Sequence, residues 1–373
     1  MTYTPHREAG IELGRIFCCF CVIVIHINSF YSAYPAISFI WTMAKCAATP
    51  VFFLITGFFF SPDKPFKTYL SRLFARIIIP TILILLAIAQ LTPWLSGQTS
   101  LNYCFTHLQI KNFILVGKIL LTFWPYDYLP DYNPFISLWF TFSLILCYLA
   151  FPLLKMLCSQ NQIALITKKY ILWLGLIFFV GRVTLLVSFP DNPTIQHIDW
   201  WIQEKPFYWL WLILLGHHLS IFLKNRLLLN RFRSILVIGG SFTYLFGSFI
   251  IFWLTMHFNV DSIGDVNQRF FVREFVFYLA AQLGVFILFT TLPTTHAGLN
   301  RLILFIADKT FYIYMIHEAV YKKLLLVLGL SNVITVSGYL GFAALSFIVS
   351  LLVACGLKNT ERLVTNGLSH LGS

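Results

Sequence analysis

The sequence predicts an all-α fold, a polytopic integral membrane helical bundle of about ten transmembrane helices with both termini cytoplasmic. Three observations lead there. Only 11% of the 373 residues are charged, while 58% are hydrophobic and 18% aromatic, with a mean hydropathy of +0.80. A water-soluble domain carries about 25% charged residues, because its surface must be hydrated. The apolar residues fall in runs of roughly 20, the length at which a helix crosses a hydrocarbon core. Short alternating segments of the barrel type are not present in the pattern. Finally, Lys and Arg gather in alternate connections between the runs, which orients a membrane protein.

The runs place spans at approximately 11–31, 39–60, 77–95, 135–155, 170–189, 207–223, 234–256, 271–292, 309–329 and 333–356. The first carries Arg15 and His26 and lacks a small-residue cleavage site, so it reads as a retained helix and not a signal peptide. One set of connections holds Lys64, Lys67, Arg72 and Arg76, then Lys155, Lys168 and Lys169, then Lys224, Arg226, Arg231 and Arg233, then Arg301, Lys358 and Arg362. The other set is poorer in cations and contains Asp127, Asp131, Asp191, Asp199, Asp261 and Asp265. The basic set is expected on the cytoplasmic side. The connection at 96–134 then falls outside, and its apolar stretch 113–124 is too short to span comfortably, which suggests an interfacial or re-entrant segment. No internal repeat is visible. The whole of 1–373 is expected to form a single transmembrane domain with no appended soluble domain.

Charge and cysteine usage narrow the function classes. The net charge of +12, from 26 Lys and Arg against 14 Asp and Glu, would suggest nucleic acid in a soluble protein. Here it is accounted for by the basic connections, so membrane lipid and not nucleic acid is the expected partner. Of the 8 cysteines, Cys18, Cys19, Cys21, Cys46, Cys147 and Cys355 lie within apolar runs. Cys18 and Cys21 form a CxxC spacing with no second pair, so small apolar filler is the better reading and no metal site is expected. His217 and His218 invite a metal too, but adjacent helical residues diverge by about 100° and do not chelate together readily.

Ionisable groups within a span are costly, about 3 kcal/mol on insertion scales, and are functional candidates by default. Glu8, Glu12, Arg15 and His26 fall near one face of the first helix. Arg15 and His26 are separated by about three turns, some 16 Å along the axis, and diverge by only about 20°. This face is expected to run from the cytoplasmic mouth towards the outer half of the membrane, although Glu12 and Arg15 also have the i,i+3 spacing of an ordinary ion pair. A second histidine, His317, follows Tyr314 by one turn in a run that Asp308 begins and that continues with Glu318. A histidine exchanges protons at physiological pH, and a carboxylate can orient it. A hydrogen-bonded packing pair would have the same spacing. Arg72 and Arg76, at i,i+4, present two guanidinium forks that suit phosphate oxygens or that snorkel to anchor the helix end.

In order along the chain stand Glu12, Arg15 and His26, then Pro50, Phe52-Phe53 and Thr56-Gly57, then Arg72 and Arg76, then Leu138-Trp139-Phe140, and finally Tyr314 and His317. This succession resembles the acyltransferase 3 family of membrane acyltransferases and is similar to the enterobacterial-type surface-polysaccharide O-acetyltransferases. Thr56 stands where the family more often has Ser, Glu12 where Asp is commoner, and Ile16 where a small residue is usual. The resemblance implies a multi-pass protein of the bacterial inner membrane that takes acetyl-CoA as cytosolic co-substrate and a glycan or lipid-linked oligosaccharide as acceptor. It implies His26 as the central catalytic residue, with Glu12 and His317 as further catalytic candidates. Arg15, Arg72 and Arg76 would hold the acyl-CoA donor, and Trp139 and Tyr314 would bind substrate. His26 would act as general base or accept the acyl group itself. A secondary transporter of a glycan, lipid or small molecule is the alternative, since transporters also place ionisable groups near the midplane.

Overall fold

Helix is the only regular structure among the described residues of the computed structural model, which are 9–27, 35–107, 110–111, 114, 116–118, 138–159, 162–181, 206–257, 276–293, 296–330 and 335–371. The side chains at 138–139, 178–179, 206, 226–228 and 361–371 fall outside that description. The helices are α1 (Ala9–His26), α2 (Pro35–Ala47), α3 (Thr49–Phe58), α4 (Phe66–Leu73), α5 (Ile79–Leu95), α6 (Leu101–Thr106), α7 (Leu138–Leu149), α8 (Phe151–Leu157), α9 (Gln162–Gly175), α10 (Pro206–Leu223), α11 (Arg226–His257), α12 (Val276–Thr291), α13 (Ala297–Ala307), α14 (Thr310–Leu328) and α15 (Val336–Leu371). Five stretches are long and apolar enough to cross a membrane: Ala9–His26, Pro35–Phe58, Phe66–Leu95, Leu229–His257 and Val336–Thr360. The pair Phe140–Leu149 and Phe151–Leu157, bent by 59°, makes a sixth if it is one span. Phe207–Leu223 and Val276–Thr291 are apolar but shorter. Each of the ten expected spans overlaps one of these helices or α9 or α14. Of the stretch at 113–124, residues 114 and 116–118 are described and helical, and the rest lies outside the described residues.

Prolines explain where the long spans are interrupted. A proline has no N–H to donate to the carbonyl four residues back, and its ring collides with that carbonyl. Pro50 stands in the first turn of α3, just after the break at Ala48. Pro80 follows a π-helical turn, Phe74–Ile78, in which the Ile79 N–H reaches back to the Phe74 carbonyl. Pro152 opens α8 after the 59° bend. In each case the chain absorbs the missing bond by a break, a widened turn or a kink.

The chain divides into two compact units, each assembled from several stretches. The first comprises Met1–Ile25, Tyr34–Pro65 and Ala150–Ala307. Within it α11 packs along α12, α3 along α10, and α2 against both α11 and α12. Small residues let these backbones approach, as they must where lipid supplies no hydrophobic drive between helices. A Cβ on Gly57 would lie 2.0 Å from the Ile213 carbonyl oxygen, and one on Gly216 would lie 2.2 Å from that of Leu54. Gly240 and Gly284 meet in the same reciprocal way, 2.9 and 2.6 Å from each other's carbonyl oxygen. The second unit comprises His26–Ala33, Phe66–Leu149 and Asp308–Ser373. There α14 packs against α15 and α5, and α4 against α7. Gly329, at φ 61°, closes α14 in the left-handed conformation that glycine adopts without strain.

Lys358 of α15 ties down the turn before α14: its Nζ donates to the Asp308 backbone carbonyl at 2.9 Å and also meets the Asp308 carboxylate. Lys309 Nζ lies 3.4 Å from the same carboxylate. Partial burial works to raise the Asp308 pKa, but the two ammonium groups outweigh it and hold the carboxyl below its usual range.

Candidate functional site

His26 is the last residue of α1, and its imidazole meets that of His317 on α14, with ring centroids 5.0 Å apart and planes at 59°. His26 is half-buried, whereas His317 is fully buried. His317 Nδ1 lies 2.5 Å from the backbone carbonyl oxygen of Tyr314, one turn earlier. A carbonyl only accepts, so the ring proton sits on Nδ1 and Nε2 keeps its lone pair. Among the described residues Nε2 has no hydrogen-bond partner. The Tyr314 ring packs 5.7 Å from His317 and 4.8 Å from Phe140 of α7, centroid to centroid. Thr141, one residue on, hydrogen-bonds to the Met315 sulfur at 3.1 Å, fastening α7 to the same turn of α14. His26, His317 and Tyr314 are therefore brought together. The side chain of Trp139 lies outside the described residues.

α14 carries a further charged pair that the sequence reading passed over. Glu318 is buried and accepts from Lys322 Nζ at 2.9 Å, at i,i+4. With Lys323, which donates to the Trp94 carbonyl at 2.6 Å, these side chains put three ionisable groups within six residues of α14. The i,i+4 spacing of Glu318 and Lys322 was available as a signal. Burial of the carboxylate was not.

Arg72 closes α4 and Arg76 sits in the π-helical turn. Both side chains are exposed, while Leu73 and Ile77 beside them are buried. Their chain geometry follows from Pro80, which leaves the Arg76 carbonyl without its helical partner and widens the turn.

Glu12 and Arg15 occupy the other end of α1. Arg15 NH1 pairs with Glu12 Oε2 at 3.0 Å, and its guanidinium lies 6.0 Å from the Phe59 ring centroid. Fourteen positions along the helix put Glu12 about 21 Å from His26. The face between them is not polar throughout, since Cys19 and Val22 are buried apolar residues. Cys18, Cys21, Cys46 and Cys147 are likewise buried free thiols, packed as small apolar side chains.

The family model for the acyltransferase domain of the acyltransferase 3 type matches residues 8–355. No curated protein and no solved structure matches the sequence.

Proposed function

Because this chain belongs to the acyltransferase 3 family, we propose that it transfers an acetyl group from cytosolic acetyl-CoA to a hydroxyl of a cell-envelope glycan or lipid-linked sugar, in the inner membrane of a bacterium. The observation that carries the reading is the imidazole pair. His26 stands beside a buried His317 whose tautomer is held by the Tyr314 carbonyl and whose Nε2 has no hydrogen-bond partner among the described residues. In this reading His26 takes the proton of the acceptor hydroxyl as its oxygen attacks the thioester carbonyl. The carbon–sulfur bond breaks, CoA leaves as the thiol with that proton, and the acetyl ester remains on the acceptor. His317 is the positioning group that keeps the His26 ring oriented.

The donor would meet the protein at Arg72 and Arg76. Two exposed guanidinium groups at i,i+4 suit the phosphates of CoA. Arg15 serves the same donor, with Glu12 as the carboxylate that holds its guanidinium. Tyr314 and Trp139 are assigned to the acceptor.

The test is mass spectrometry of envelope glycans from cells with the wild-type protein, with His26→Ala, and with neither. The wild type adds an acyl mass that His26→Ala lacks, although the variant accumulates in membranes to the same level. Acetylation near the wild-type level in His26→Ala would overturn the catalytic assignment.

A further inference from the structure

α9 turns nearly all of its surface outward, with Ile163, Ile166, Tyr170, Trp173 and Leu174 exposed. Lys168 and Gly175 are its buried residues, two turns apart on one stripe. That stripe lies against α10 of the same unit. Trp211 sits on Gly175, where a Cβ would be 2.1 Å from its Nε1, and this Nε1 donates to the Leu172 carbonyl at 3.1 Å. Two turns back along α9 from this contact stands Lys168, and two turns on along α10 stand His217 and His218, which meet if the two helices run antiparallel. The charge of Lys168 indeed reaches both imidazoles.

Among the described residues, the stripe thus carries a cation with no carboxylate beside it. Lys168 is 2% exposed, and among the described residues no carboxylate lies within ion-pair distance of it. His217 is 9% exposed, its ring bonded to the Phe60 backbone and its Nδ1 without a hydrogen-bond partner among the described residues. His218 Nδ1 is also buried and unpartnered among them. The aromatic rings of Phe60 and Phe222 wall the pair at 5.6 and 5.5 Å. An isolated ammonium taken out of water costs several kcal/mol unless something negative meets it.

We propose that Lys168, His217 and His218 form a binding site for a phosphate-type anion, supplied as a phospholipid head group or as free phosphate. None of these residues is assigned to acyl transfer. Lys168 serves as the point charge, and a bound anion favours the protonated form of each imidazole, which then donates from Nδ1. The approach is past His218, which is only half-buried and has exposed Lys169 and Phe222 beside it. Basic pockets between transmembrane helices hold phosphate head groups in this way, and the exposed apolar side chains of α9 suit the acyl chains of such a lipid.

The experiment uses the full-length protein in an uncharged detergent and reads its thermal unfolding midpoint. One arm adds phosphatidylglycerol against phosphatidylcholine, and the other adds inorganic phosphate against chloride at equal ionic strength. Arg72 and Arg76 also attract anions, so the variants decide the outcome. Lys168→Met is expected to weaken the anion response by about tenfold or more in concentration, and His217→Gln with His218→Gln to do likewise. The double variant carries the test if Lys168→Met does not accumulate. A response to phosphatidylglycerol alone identifies a head-group site, and a response to phosphate alone identifies a soluble anion. The proposal is overturned if neither anion exceeds its control, or if the variants respond at wild-type concentrations.

Discussion

His317 illustrates how a single hydrogen bond sets a side chain's chemistry. With Nδ1–H committed to the Tyr314 carbonyl, Nε2 is the ring nitrogen left to act, on a ring 5.0 Å from that of His26. Replacing His317 by Asn keeps a polar group but loses the second ring. In membranes assayed with acyl-CoA, His317→Asn is expected to lower kcat by about 100-fold while the donor KM changes by less than about twofold. An unchanged kcat would remove His317 from the machinery. The arginines belong to a different part of the reaction. Arg72→Ala with Arg76→Ala is expected to raise the donor KM by about tenfold or more and leave kcat nearly unchanged, since each lost charge-assisted bond contributes about 1.5–3 kcal/mol. Lysine at both positions should restore only part of the loss, because an ammonium does not reproduce the guanidinium fork.

At the scale of elements, two features set how helices join. Gly57 and Gly216 bring α3 and α10 into backbone contact, with no room for a methyl group. Gly57→Ala is expected to destabilise the protein by about 1–3 kcal/mol, read as a lower unfolding midpoint in detergent. Gly298→Ala, where a Cβ meets nothing within 4 Å, serves as the control and should leave the midpoint unchanged or slightly raised. Asp308 joins α14 to α15 through Lys358. Its folded-state pKa lies below the unfolded one, so its stabilisation is complete above the ordinary carboxylate range and fades as pH falls through the depressed value. Asp308→Asn should therefore lower the unfolding midpoint at pH 7, and the gap to wild type should narrow as the solution is acidified. A gap independent of pH would assign the loss to packing instead of charge.

Over the whole molecule, the exposed apolar stripe of α11 is the clearest mark of a lipid environment. Ile235, Ile238, Phe242, Phe246, Phe249 and Trp253 recur at helical spacing and face outward. Water would not tolerate such a surface, and hydrocarbon does. α15 extends for 36 residues, about 54 Å, well beyond a hydrocarbon thickness of about 30 Å. Its apolar part is Val336–Thr360, and the remainder continues past Lys358. The ten spans expected from the sequence, with the basic connections inside, would put this end in the cytoplasm. A fluorescent protein fused to the C-terminus should therefore fold and fluoresce, and a periplasm-dependent phosphatase fused there should be inactive. The reverse pattern would require an odd number of spans.

Composition alone was enough to identify a membrane-embedded helical protein, because a chain with 11% charged residues has no means of hydrating a globular surface. The family, too, was legible, in ordered motifs from Glu12 to His317, and the match over residues 8–355 shows it. Local rules likewise anticipated the Glu12–Arg15 pair, whose spacing is its own explanation. Other features depend on residues far apart in sequence, and no local period encodes them. The meeting of His26 with His317 is one, since the two rings come from opposite ends of the chain. The apolar filling of the α1 face at Cys19 and Val22 and the reciprocal approach of Gly57 and Gly216 are others. Lys168 makes the same point from the opposite direction. In the sequence it is one more cation in a basic connection, and only the packing of α9 on α10 buries it beside two histidines.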